Sequence, residues 1–461
     1  MRPATAAPTL TGALVEFINR TRFADLPAST TAQAARCALD SIGCAIAGAR
    51  TELGALVAGM VRGAGGTPES ALLGTSGVRV PAPAAALANG TAANALDFDD
   101  TLLGHPGASV VQAALAIADA ERASGADLLA AIVVGYELCG RLIGWLRPSG
   151  GRFTRIWDTA TLQTFGAAAA VASLLRLTAA QTHAALGIAA ATAPLPRVRK
   201  VASFTTHRPM LKSAWGWSAE AGVRAARLAA AGLTAQDDAL DGDLGLWERA
   251  AESAFGLGHP ADRLGETYVI ERVEFKPYPC CRFIHPVLDA LRIAFEHRAV
   301  VAAEIAEIRV ATFALLGDAY HTAVPPATVS DAQFSTPFCV AAFVIDDGLR
   351  ADRFTRDGIG DPGIVALAQR VRIERDDAFE YAYPARFGAA VRVRTRSGEE
   401  LAGRVDHPRG GPEDPLPSAE LIEKFQTLAM LRGGAAAGQR ILALEREPDV
   451  RVWMDEFHGQ V

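Results

Sequence analysis

The chain has 461 residues, of which 50% are hydrophobic, 7% aromatic and 21% charged, with a formal net charge of −6. That is enough for two or three domains with a large core, which excludes a disordered chain, and the acidic balance shows no basic face for nucleic acid. Six cysteines without a CxxC pair exclude a disulfide scaffold and argue against structural zinc.

Residues 1–10 lack the basic start and apolar core of a signal peptide. The longest mainly apolar run, Phe165–Leu175, stops at Arg176 and is too short to cross a bilayer. These features read as a soluble, cytoplasmic protein with neither a membrane nor a nucleic-acid partner.

From about Ala13 to Leu257 the chain is a series of alanine-rich segments of helical length, broken by Gly and Pro. Ala108–Ala123 and Gly125–Leu142 are two of these, with Ser124 as N-cap of the second and Asp127 completing a capping box. Thr159–Leu175 and Ser218–Ala231 follow in the same style. The texture changes near Glu266. Thr267–Phe275 is rich in β-branched residues, Glu307–Thr312 alternates, and Ala390–Arg396 with Leu401–Val405 across Ser397-Gly398 predicts a hairpin. Helices are expected over Pro286–His297, Pro337–Leu349 and Ser418–Arg446. The fold class is therefore mainly α: a large all-α domain (1–265, completed by 407–461) and a smaller α+β lid domain (266–406).

Of the 45 basic residues only four are lysines: Lys200, Lys212, Lys276 and Lys424. Three segments could carry chemistry. In the first, Asp97, Asp99 and Asp100 precede Thr101 and His105, a cluster that should raise at least one carboxyl pKa if buried. Taken alone, it reads as a helix end running into a solvated acidic loop. Its DxDxT and DxDD matches, to haloacid-dehalogenase-type phosphatases and class II terpene cyclases, lack the preceding strand and the aromatic pocket those readings need. In the second segment, Lys276-Pro-Tyr-Pro-Cys-Cys281-Arg282 runs into His285-Pro286, with Lys276 and Arg282 placed to bind a carboxylate. The third carries Arg208 and Lys212 ahead of Trp215 and Trp217. Gly358-Ile-Gly360-Asp-Pro-Gly363 matches GxGxxG but follows a charged stretch, so it reads as a loop.

Together these segments resemble the MmgE/PrpD family, whose members include 2-methylcitrate dehydratase, cis-aconitate decarboxylase and iminodisuccinate epimerase. Ala38–Gly48, Ala88–Thr101, Thr159–Thr161, Lys276–Cys281 and His407–Pro415 carry the resemblance over nearly the whole chain. It implies a homodimer that uses no metal or organic cofactor and removes a proton next to a carboxylate of a small organic acid. The resemblance makes His105 the acid or base with Asp97 orienting it, Lys212 and Lys276 the carboxylate clamps, and Tyr320 a contributor from the lid. Trp157, Asp158, Arg208, Cys281 and Arg282 are the further candidates for substrate contact. Three positions depart from the family pattern: Trp157, Asn94 and Leu102 stand where histidines are common, and the first two replacements point to a less charged or larger substrate. The leading reading is a lyase of the dehydratase or decarboxylase type. An epimerase or isomerase that tolerates the missing histidine is the runner-up, and a non-catalytic binding homologue is the third.

Overall fold

Alanine and glycine faces let helices approach until their backbones touch, and this sets the architecture of the larger part of the chain. The computed structural model describes residues 9–102, 104–145, 156–157, 159–194, 197–198, 209–241, 259–298, 300–430 and 434–458. Five helices frame the part of the chain that matters most: α1 (Ala28–Gly48), α2 (Ala82–Ala95), α3 (Gly125–Trp145), α4 (Thr159–Leu174) and α5 (Pro209–Ala230). Helix α2 packs closely against α5. A Cβ on Gly216 would lie 2.3 Å from the Leu87 carbonyl oxygen, so only glycine fits there. This contact aligns the end of α2, which leads into Asp97, with the start of α5. Lys212 lies in the first turn of α5 and not ahead of the helix, because α5 begins at Pro209, nine residues before the small-residue run that marks it in the sequence.

Ser124 accepts from the Asp127 N–H at 3.1 Å, as a cap should, while its hydroxyl donates to the Asp127 carboxylate at 2.8 Å. The helix it starts, α3, is 21 residues long and apolar enough by length and composition to span a membrane, with 89% of that window buried in the fold. It replaces Phe165–Leu175 as the longest apolar element. Its interior charges mask it in the sequence, and Glu137 and Arg141 pair with each other at 2.8 Å.

Thr267–Phe275 is not a strand. It holds a 3-10 turn at Val269–Arg272 and two isolated bridges, Glu274 to Thr101 and Thr267 to Leu264. Beyond it lies a four-stranded sheet, β1 (Ile305–Thr312), β2 (Val371–Arg375), β3 (Ala389–Thr395) and β4 (Glu400–Val405), in the order β2-β1-β3-β4. Only the β1–β2 pair is parallel. In β3 the alternation is clean, with Val391 and Val393 buried and Arg392 and Arg394 exposed, as the hairpin pattern predicts. Helix α6 (His285–Ala294) packs on β3 and β4, and α7 (Val329–Phe334) leads into α8 (Thr336–Asp346). The loop reading of the GxGxxG match does not hold: Gly358 and Gly363 lie inside two short helices, Arg356–Ile359 and Pro362–Ala368, and only Gly360 falls in the link between them.

Among the described residues there are two large hydrophobic cores and a small third cluster of Cys44, Leu96, Phe98 and Leu428. One large core gathers the helices, Ile270 to Phe275 and the tail, whose helix α9 (Ser418–Ala429) packs on α1; the other runs from Tyr278 to Val393. The chain crosses between them at Lys276-Pro277. The architecture is thus a large helical domain and a smaller α+β domain.

Candidate active site

Helix α2 ends at Leu96, and Asp97 takes a left-handed conformation with φ of 51°. Aspartate tolerates that region better than most residues, and the turn redirects the chain so that the following carboxylates face different neighbours. The acidic run is not a solvated loop: Asp97, Asp99 and Asp100 are each no more than 1% exposed. Packing against α5 and the segment at 276 removes water from Asp97 and Asp99, and the helical core around Tyr136 buries Asp100.

Asp97 receives two ammonium groups. Lys212 Nζ lies 2.8 Å and Lys276 Nζ 3.2 Å from Asp97 Oδ1, and Lys276 also donates to the Asp97 carbonyl at 2.9 Å. Burial alone would raise the Asp97 carboxyl, but Lys212, Lys276 and His105 hold it well below the usual carboxylate range. Burial pulls Lys212 below the ordinary lysine value in spite of Asp97. Burial acts on Lys276 as well, yet Asp97 and Asp99 overcome it and hold that lysine above its ordinary value.

His105 is not oriented by Asp97, whose Oδ1 is 3.9 Å from Nε2 and beyond hydrogen-bond range. Its Nδ1 sits 3.1 Å from Asp99 Oδ2 and 3.0 Å from Asn94 Nδ2, while Asn94 donates to Asp99 Oδ1 at 2.8 Å. The carboxylate is the stronger acceptor, which assigns the proton of the neutral ring to Nδ1 and leaves the Nε2 lone pair facing Asp97. Asn94 thus stands where the resemblance led one to expect a histidine, and its amide donates to the Asp99 carboxylate that orients His105. Gln163, oriented with its nitrogen on the His105 carbonyl (3.0 Å) and its oxygen on the His105 N–H (2.6 Å), fixes the backbone of the same residue. Gly104 makes room for it, since a Cβ there would lie 2.2 Å from the amide.

The sequence reading did not assign Asp99, Asn94, Gln163 or Lys424. Lysine scarcity was the available signal for Lys424. Its Nζ binds Asp40 Oδ1 (2.6 Å), the Phe98 carbonyl (2.6 Å) and the Lys276 carbonyl (3.0 Å), pinning α1, the acidic run and the crossover segment together.

Tyr320 is buried, with its ring 5.0 Å from that of Phe334, and Phe334 in turn lies 4.9 Å from Lys212 Nζ. Arg282 is committed to Glu274 (2.6 Å) and to the carbonyls of Pro408 and Arg409 (3.3 and 2.7 Å), so it latches the lid to the tail. Cys281 is buried, and its backbone N–H donates to the Gln333 carbonyl at 2.9 Å. Trp157 lies in a two-residue strand paired with residues 197–198, and its side chain, Asp158 and Arg208 lie outside the described residues.

Asp97, Asp99 and His105 offer ligand atoms within 4.8 Å of one another. Two ammonium groups already occupy Asp97, and a metal cation there would meet their repulsion, so the set fits a proton-transfer site better than a metal site. Next to Lys212 a cleft of about 1670 Å³ opens between the two domains.

The arrangement can hold carboxylates on two cations and move a proton at His105 Nε2. The chain is 27% identical to a human cis-aconitate decarboxylase over 414 residues, covering 86% of this chain and 82% of that one. The mouse cis-aconitate decarboxylase is 26% identical over 416 residues (86% and 81% covered), and a cis-aconitate decarboxylase-like protein of Aspergillus oryzae is 24% identical over 488 (99% of each). Residues 12–255 match the MmgE/PrpD N-terminal domain and residues 278–449 the MmgE/PrpD C-terminal domain, and the chain belongs to the MmgE/PrpD family.

Proposed function

We propose that the protein is a lyase of the dehydratase or decarboxylase type that removes a proton next to a carboxylate of a small organic acid. One observation carries this reading: His105 is held through Nδ1 by Asp99, with Nε2 directed toward a buried carboxylate shared by two lysines. An ammonium has three donors. Asp97 takes one from Lys212 and two from Lys276, leaving donors for a substrate carboxylate. Charge that develops on the carboxylate during proton removal falls next to those cations, where low polarity strengthens the attraction. Asp97 Oδ2 is buried without a partner among the described residues, so it supplies an acceptor for a substrate proton. Base, acceptor and cations all come from the chain, and the proposed reaction draws on no cofactor. The names of the relatives, all cis-aconitate decarboxylases or like them, favour the lyase over the epimerase.

Proton NMR in D2O with a panel of polycarboxylates and hydroxy acids tests the reading. The wild type should give a new vinyl signal or release CO2, and His105→Ala should slow the reaction by about 10²–10⁴-fold. Deuterium entering a substrate without net conversion would favour the epimerase instead. Equal rates for variant and wild type would remove His105 from the mechanism.

A further inference from the structure

The cleft next to Lys212, at about 1670 Å³, is larger than the roughly 300–1,000 Å³ of ordinary small-molecule sites. Lys212, Ser330 and Gln333 all line this cleft. Ser330 and Gln333 are 8% and 0% exposed, and Ser330 Oγ and Gln333 Oε1 have no partner among the described residues. The Gln333 amide nitrogen donates to the Ala95 carbonyl at 3.1 Å, which fixes its oxygen as an acceptor aimed away from that bond. A buried acceptor left over by the protein calls for a donor on the ligand. Lys212 and the Ser330 hydroxyl supply donors for a carboxylate; Gln333 asks for a hydroxyl.

Leu53, Leu96, Val329, Leu349, Phe354 and Leu428 give the cleft an apolar wall, and arginines, threonines and acidic residues complete its lining. Its arginines are already committed. Arg50 holds the carbonyls of Leu428 and Ala429 (3.0 and 2.9 Å), and Arg350, Arg356 and Arg409 pair with Asp352, Glu52 and Glu420 at 2.6–2.9 Å. Three of these arginines already have a carboxylate partner and Arg50 is held by two carbonyls, whereas an alkyl chain would find a matched surface along the apolar wall.

We infer that the substrate is a hydroxy acid with an apolar chain, its carboxylate and hydroxyl at Lys212, Ser330 and Gln333 and its chain along the cleft. The inference rests on the proposed lyase reading for the reacting end and on the cleft for the rest.

Isothermal titration with a series of 2-alkylmalates and the matching 2-alkylsuccinates, from methyl to octyl, tests it without requiring turnover. Affinity should rise about three- to fourfold per methylene until the cleft is filled. Each hydroxy acid should bind about tenfold more tightly than its deoxy partner. Leu56 lines the cleft but is 65% exposed, so Leu56→Asp should fold normally, bind the methyl compound as before and lose the gain with chain length. A flat series, or a gain that Leu56→Asp leaves untouched, overturns the inference. So does a flat series with a dimer, seen by sedimentation, that Leu56→Asp dissociates; a second copy would then cover the cleft. Proton exchange on short acids with a flat series overturns only this inference. A chain-length gain with exchange absent throughout supports the inference and overturns the lyase reading.

Discussion

Asp97 and Asp99 lie beside Asp100 in the chain, and all three are equally buried, yet their protonation states diverge. Burial raises each of them. On the side facing the lid, Lys212, Lys276 and His105 outweigh burial, and Asp97 and Asp99 are held below the ordinary carboxylate value. On the side facing the helical core, burial is reinforced by Asp40 and Asp99, and the bonds from Tyr136 (2.6 Å) and the Gly107 N–H (2.9 Å) do not compensate. Asp100 is pushed up to about 8. Three neighbouring carboxylates are thus divided into a charged pair that serves the site and a protonated strut that braces the loop carrying His105. Burial alone does not decide the charge of an acidic residue; the partners brought by other segments do.

The largest effect should come from removing the charge at the centre of the lid-facing side. Asp97→Asn leaves two buried ammonium groups without a counter-ion and should cost about 3–5 kcal/mol in denaturant unfolding. Adding Lys212→Met should recover part of that loss. A cost below about 1 kcal/mol would mean that the cluster is not a charged triad.

Asp99→Asn probes the same side more gently. It frees the His105 ring while leaving both lysines on Asp97, so kcat should fall about 10- to 100-fold with KM nearly unchanged. If KM rises and kcat is kept, Asp99 acts on substrate binding and not on the histidine.

The smallest effect belongs to Asp100, and its pH dependence has the opposite sign. Because its folded pKa lies near 8, above the unfolded value of 3.8, folding takes up a proton in that window and stability falls as pH rises through it. Asp97 and Asp99, with depressed values, contribute stability that is present above the unfolded pKa and lost as pH falls. Asp100→Asn should therefore flatten the decline in Tm between pH 5 and 8, worth about 1–3 kcal/mol. An unchanged slope would show that Asp100 is ionised in the fold.

Much of the architecture was legible in the residues. The alternation in Ala390–Arg396 and the Ser397-Gly398 turn located the hairpin, Ser124 located a helix start, and the order of motifs pointed to the family. The site was legible in part. Lys212, Lys276, Asp97 and His105 were singled out, and the structure brings them within a few ångströms of one another. The pairing was not legible: Asp99, itself held by Asn94, orients the histidine in place of Asp97, and Lys424 ties the cluster together from the far end of the chain.

The division follows from the range of the forces. Helix caps, strand alternation and turns depend on residues a few positions apart, so the order of residues by itself determined them. Charge state and hydrogen-bond partner depend on what reaches a buried group from anywhere in the chain. Lys276 arrives at Asp97 from 179 residues away, and Lys424 at Asp40 from 384. Only the tertiary structure decides those neighbours, and in a low-polarity interior they decide whether a carboxylate is a counter-ion, an orienting group or a protonated strut.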